Sequence, residues 1–159
     1  MKRVKTNFLT QSALIAGIYV VLTYVSAMMG MSSGAIQVRL SEALTILPCF
    51  TTEAIPGLFV GCILANLLTG SVFWDIVFGS IATLIGAIFT RLLKNKKFLA
   101  PIPPILSNTV IIPFVLAYAY NAAGGIPYFM LTIFIGEFIS CGILGIILYS
   151  ILDKHRDIF

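Results

Sequence analysis

The chain holds six carboxylates in 159 residues, and three of them fall within or at the edge of long apolar stretches: Glu42, Asp75 and Glu137. An ionisable side chain inside a bilayer is costly and marks a functional site by default. Glu137 lies nine residues into the apolar run that starts at Tyr128, near the middle of a crossing. Asp75 stands just inside the end of another run, beside Trp74. Glu42 follows Arg39 by three positions, which puts both on one helical face if the helix begins by Arg39. Asn66 falls near the end of a third run. Asn108 lies five residues before Pro113. Because Pro113 has no N–H to give the carbonyl of Thr109, a second acceptor opens near Asn108. Gln37, Tyr118, Tyr120, Asn121 and Tyr128 belong to connecting segments and helix ends.

Together these residues suit a planar, hydrogen-bonding solute. A carboxylate accepts paired N–H donors, amides read mixed donor and acceptor edges, and Trp or Tyr stacks on a flat ring. The same residues also have plainer uses. Arg39 and Glu42 can form an interfacial salt bridge. Trp74, Tyr118, Tyr120 and Tyr128 can be interface-belt aromatics. Asn108 can bond another helix.

Other chemistry is missing from the pattern. Cys49, Cys62 and Cys141 lie in apolar segments without CxxC spacing and read as small core residues. The single His155 sits in the tail, so no His-based metal site or triad is expected. The sequence lacks the G-x-x-x-x-G-K-[ST] loop that cradles nucleotide phosphates, so ATP hydrolysis is not expected of this chain. It also lacks a G-x-S-x-G nucleophile elbow. The expectation is no catalytic residue, no metal and no cofactor.

Composition decides what must position these side chains. The chain is 59% hydrophobic and 10% charged, whereas soluble domains carry about 25% charged residues. That excludes a soluble globular domain and a disordered chain. The net charge of +4 is small and scattered between apolar blocks, which excludes a nucleic-acid partner. A bilayer crossing takes about 20 residues. Six crossings use about 120 and leave only short loops, with no room for a soluble catalytic domain.

The expected order is a basic head at 1–7 and a first span from Phe8 to about Met29, too long for a signal-peptide core. A loop, 30–40, leads to a short apolar segment, Ser41–Phe50, with Pro48 inside. Spans follow at Ile55–Thr69, Val72–Leu93, Pro101 to about Tyr120, and Tyr128–Leu152. Lys and Arg fall three in the head, four between Arg91 and Lys97, and two in the tail, leaving only Arg39 outside these clusters. The positive-inside rule places all three clusters in the cytoplasm. That holds for an even number of crossings, so the short second segment counts as one. The expected fold is an all-α integral membrane protein, a single domain over 1–159 with six transmembrane helices and both termini cytoplasmic, in the cell membrane. The polar residues then gather in the outer half, as a pocket open to the outside.

Small residues carry a second signal. Ser12–Ala16 and Ala13–Gly17 are small-xxx-small pairs, as are Gly57–Gly61–Ala65 and Gly136–Ser140, and such faces let helices approach closely. The later two suit packing within the chain. The first suits a face offered to another subunit.

Ile36–Gly70, read as IQVRLSEALTILPCFTTEAIPGLFVGCILANLLTG, then Trp74–Ser80 (WDIVFGS), and Gly136-Glu137-Phe138 resemble the QueT family. Its members are substrate-binding S components of energy-coupling factor (ECF) transporters. Ser12-Ala-Leu-Ile-Ala-Gly17 is similar to the AxxxA-type motif that S components use against their coupling subunit, with Ser and Gly in place of two alanines. The resemblance implies a six-helix S-component bundle, a coupling membrane protein and two cytosolic ATPases as partners. It also implies a queuosine precursor as substrate: 7-cyano- or 7-aminomethyl-7-deazaguanine, or queuine. On that reading Glu137, with Asp75 as second choice, accepts the N1–H and amine edge. Asn108 or Asn66 reads the opposite edge, Trp74 or a tyrosine stacks, and Glu42 meets an aminomethyl cation unless Arg39 occupies it. Rival readings are an S component for another vitamin or nucleobase, a small membrane enzyme, and an assembly protein without ligand.

Overall fold

The computed structural model describes residues 2–31, 36–121 and 123–154, with side chains from residue 7 onward. His155, Arg156 and the side chains of Lys2, Arg3 and Lys5 lie outside the described residues. Among these residues the regular secondary structure is all helical. Helix α1 is Lys2–Met28, α2 Leu40–Cys49, α3 Ala54–Leu68, α4 Phe73–Leu92 and α5 Ile102–Tyr118; α6 is Ile126–Asp153. The expected apolar runs coincide with these helices to within a few residues. The exception is the head, which continues α1 as helix from Lys2 rather than standing before it.

Two helices depart from α geometry. α2 winds as a 3-10 helix over 10 residues, where runs beyond three or four are uncommon. Its surroundings hold it: Ser41, Glu42, Thr45, Ile46 and Pro48 are all buried. Pro48 also removes one N–H from any α-type ladder. α6 passes through a π-helical stretch at Phe138–Leu144, directly after Glu137.

Asn7–Met28, Phe73–Leu92 and Ile126–Asp153 are long and apolar enough to cross a membrane, while α2, α3 and α5 are shorter apolar helices. Successive helices run in opposite directions. At one end, Arg91 Nη1 donates to the carbonyls of Pro48 (2.9 Å) and Cys49 (3.3 Å). There too Thr90 Oγ1 donates to the Ala100 carbonyl at 3.0 Å, and Lys97 Nζ lies 5.7 Å from the Tyr149 ring centre. At the other end, Leu40 N donates to Ser26 Oγ at 2.9 Å and Val72 N to Tyr120 Oη at 3.3 Å. Arg91 and Tyr120 therefore mark opposite ends of the bundle.

Small residues let α1 and α3 approach closely. A Cβ added at Gly57 would lie 2.8 Å from the Ser12 carbonyl, and one at Gly61 would lie 2.9 Å from Tyr19 Cβ and 3.1 Å from Ala16 Cα. Ser12 Oγ donates to the Glu53 carbonyl at 3.0 Å. Ser12 and Ala16 are thus engaged inside the α1–α3 joint, which joins the core formed by Ile15, Tyr19, Leu58 and Cys62. Ala13 and Gly17 lie on the opposite, exposed side of α1. They line a shallow apolar groove with Leu14, Ile18 and Val21. A shared four-residue spacing hides this division, because neighbouring residues on a helix point about 100° apart.

Candidate functional site

The site begins with a short extended strap, residues 37–39, laid across α6. A Cβ at Gly136 would overlap the Gln37 carbonyl, so glycine is what lets the strap lie there. Arg39 N donates to Ser140 Oγ at 3.2 Å, and Val38 N to the Met31 carbonyl at 2.9 Å. Arg39 is the extended residue before α2, with φ −110° and ψ 112°. The expected helical Arg39–Glu42 face therefore does not form, since the helix starts one residue later. Both side chains nevertheless line one cavity.

That inner cavity is about 30 Å³ and is lined by Gln37, Arg39, Glu42, Cys62, Asn108 and Glu137, among others. It has room for one or two waters. Glu42 is 2% exposed. Its Oε1 accepts the Tyr19 hydroxyl, while its Oε2 is buried with no well-formed hydrogen bond among the described residues. Glu137 Oε2 accepts from Cys141 Sγ at 3.1 Å. Ligating atoms of Glu42, Glu137 and Cys141 all lie within 4.8 Å of one another. The Asn108 amide lies beside both carboxylates, yet leaves Glu42 Oε2 without a well-formed bond.

A larger compartment of about 430 Å³ adjoins it toward the Tyr120 end, lined in part by Arg39, Asn66, Asp75, Ser71 and Tyr120. Gln37, Arg39 and Ile112 line both spaces. The larger volume falls in the range of small-molecule sites, about 300–1,000 Å³. Asp75 Oδ2 accepts the Tyr120 hydroxyl at 2.9 Å. Burial and the neighbouring Asp75 carboxylate push the Tyr120 phenol above its ordinary pKa, which keeps it a donor. Asn66 Nδ2 donates to Cys62 Sγ at 3.6 Å. A Cβ at Gly79 would lie 3.3 Å from Asn66 Nδ2 and 3.5 Å from Asp75 Oδ1, so a side chain at this position would crowd both groups.

The structure gathers Glu137, Glu42, Asn108, Arg39 and Gln37 in the inner cavity, and Asp75 and Asn66 in the larger one. It does not bring Trp74 or Tyr128 to either. Trp74 is 54% exposed, stacks on Phe78 at 5.9 Å and lines an apolar outer groove with Phe114 and Tyr118. Asp75 points inward, and one residue earlier on a helix points elsewhere. Tyr128 is 50% exposed for the same reason: its successor Phe129, 7% exposed, takes the inward direction.

Sequence reasoning missed Tyr19, Cys62, Thr83 and Cys141. Cys62 and Thr83 line the inner cavity, and Cys141 is a donor to Glu137 rather than only a core residue. One signal was present. Cys62 and Asn66, and Glu137 and Cys141, each stand four residues apart, a spacing that brings side chains together on one helix face.

Buried carboxylates, amides and one guanidinium thus line two adjoining cavities between apolar helices. Residues 9–154 match the family described as QueT transporter. A queuosine precursor transporter QueT of Lactococcus lactis subsp. cremoris is 35% identical over 86 residues, which are 54% of this chain and 50% of that protein. The chain thus spans about half the length of this curated relative. No solved structure matches. With the family match covering most of a chain whose helices are this apolar, the protein belongs to the QueT transporter family and is a multi-pass protein of the cell membrane.

Proposed function

We propose that the chain is the substrate-binding S subunit of an ECF-type, ATP-driven importer of queuosine precursors. All six helices cross the bilayer, with both termini in the cytoplasm. The reading is supported by the reversal of direction at each connection and by the basic residues Arg91, Lys94, Lys96 and Lys97 near the Arg91 end. With that end cytoplasmic, the 430 Å³ compartment faces outward. ATP hydrolysis comes from two cytosolic ATPases, coupled through a membrane partner.

The observation that carries this reading is the two-part polar site, placed between apolar helices and shared across the strap at Gln37 and Arg39. Asp75 and Asn66 meet the polar edges of the deazaguanine in the larger compartment. The outward face of α1 at Ala13 and Gly17 meets the coupling subunit, whereas Ser12 and Ala16 support it from behind. The test is uptake of labelled precursor by cells that co-express the chain with a coupling subunit and its ATPases. Gly17→Leu should abolish uptake while the purified protein still binds ligand. Uptake without the ATPases, or undiminished uptake by Gly17→Leu, contradicts the proposal.

A further inference from the structure

The seam between α4 and α5 carries an apolar groove at its Arg91 end. A Cβ added at Gly86 would lie 2.8 Å from Pro104 Cα, so the two helices approach closely there, while Phe89 and Leu106 remain 52% and 53% exposed. The groove is about 540 Å³ and is lined by Ile85, Phe89, Leu93, Leu106 and Val110, among others. That volume falls in the range of small-molecule sites, about 300–1,000 Å³. Ser107 is its one polar lining residue, and the Ser107 hydroxyl already donates to the Pro104 carbonyl at 3.1 Å. A polar solute buried here would go without hydrogen bonds, which is costly, whereas a hydrocarbon chain needs none.

We propose that this groove and the connector that closes it hold one anionic glycerophospholipid, with an acyl chain in the groove and the phosphate group at Lys94 and Lys96. The connector runs from Leu93 to Ile102, and both of these residues line the groove. Lys94, Lys96 and Lys97 lie within it, next to Arg91, and no acidic residue stands between Asp75 and Glu137. Arg91 is engaged by the Pro48 and Cys49 carbonyls. Lys97 lies 5.6 Å and 5.7 Å from the Phe98 and Tyr149 ring centres. Lys94 and Lys96 are exposed and are the cations left for a ligand. Charge also selects the end. The seam continues past Val110 and Ile111 as a second apolar groove of about 670 Å³ that reaches Trp74 and Tyr118. Residues 70–75 and 118–121 at that far end include Asp75 and no cation. Basic pockets beside membrane-spanning helices attract anionic headgroups, so the headgroup belongs at the Lys94 end. The inference goes beyond the transport reading: it rests on the chain lying in a membrane, not on which solute it binds.

The test is native mass spectrometry of the purified full-length protein, titrated with phosphatidylglycerol or phosphatidylcholine of identical acyl chains. A single phosphatidylglycerol should bind each chain, at least ~10-fold tighter than phosphatidylcholine. Lys94→Gln combined with Lys96→Gln should bring that ratio to within about twofold. Lys154→Gln, which removes an exposed cation of the tail, should leave it unchanged. Leu106→Trp, which fills the groove, should weaken both lipids. Lys94, Lys96 and Leu106 are all exposed, and the wild-type ratio stands as a test even where a variant does not fold. Equal affinity for the two lipids overturns the proposal. So does an equal loss of selectivity in Lys154→Gln, which assigns the effect to diffuse surface charge. Undiminished binding by Leu106→Trp overturns the placement of the chain in the groove. Retention of neither lipid overturns the proposal and leaves the seam to a protein partner. None of these measurements reads precursor binding, so every result leaves the transport reading as it stands.

Discussion

Asp75 shows how local geometry fixes the orientation of one buried carboxylate. Its carboxylate is held by Tyr120 at 2.9 Å and stands beside Asn66 across Gly79, so it is oriented before any ligand arrives. Hydrogen bonds to charged groups contribute about 1.5–3 kcal/mol. Asp75→Asn should therefore weaken precursor binding by about tenfold or more in a calorimetric titration. Trp74→Ala, one residue away but on the exposed face, should leave affinity unchanged in the same titration. Neighbouring residues separate in this way because an α-helix turns about 100° per residue. The sequence made the buried acids legible by their cost in an apolar run. It did not reveal which aromatics meet them, since Trp and Tyr also gather at membrane interfaces for unrelated reasons.

Among the helices, the contrast between Gly61 and Gly17 separates packing from display. A Cβ at Gly61 meets Tyr19 Cβ at 2.9 Å, whereas one at Gly17 meets nothing within 4 Å. Overpacking a tight contact costs about 1–3 kcal/mol. Gly61→Ala should lower the melting temperature of the detergent-solubilised protein, and Gly17→Ala should not. The turn between α2 and α3 carries a pH-linked contribution of its own. The Thr51 hydroxyl bonded to Glu53 holds that carboxyl below its usual range. A group whose pKa is depressed by folding stabilises the fold above its unfolded pKa, about 4.3, and loses that contribution as pH falls through the folded value. Melting curves of wild type and Thr51→Val should therefore differ at pH 7 and converge in acid. Helix positions were readable from apolar run lengths and from Gly and Pro. The 3-10 winding of α2 and the π stretch of α6 were not, because both answer to tertiary surroundings: the burial of Ser41–Pro48, and the strap lying on Gly136 and Ser140.

For the whole molecule, the apolar exterior and the polar interior have complementary roles. Leu14, Val21, Leu131 and Ile147 are all more than half exposed, a surface that suits lipid rather than water. The polar side chains turn inward around two connected cavities. Composition alone foretold this division. The strap that joins the cavities was not foretold, because residues 37–39 have no periodicity and acquire meaning only against α6. The central claim is that these cavities hold a queuosine precursor, and ligand-dependent stability of the purified protein tests it most directly. A ligand that binds only the folded state, present at 100 times its Kd, adds about 2.7 kcal/mol to stability. The melting temperature should rise with deazaguanine precursors and not with guanine, riboflavin, thiamine or pantothenate. A rise with one of those vitamins and none with the deazaguanines would contradict the account.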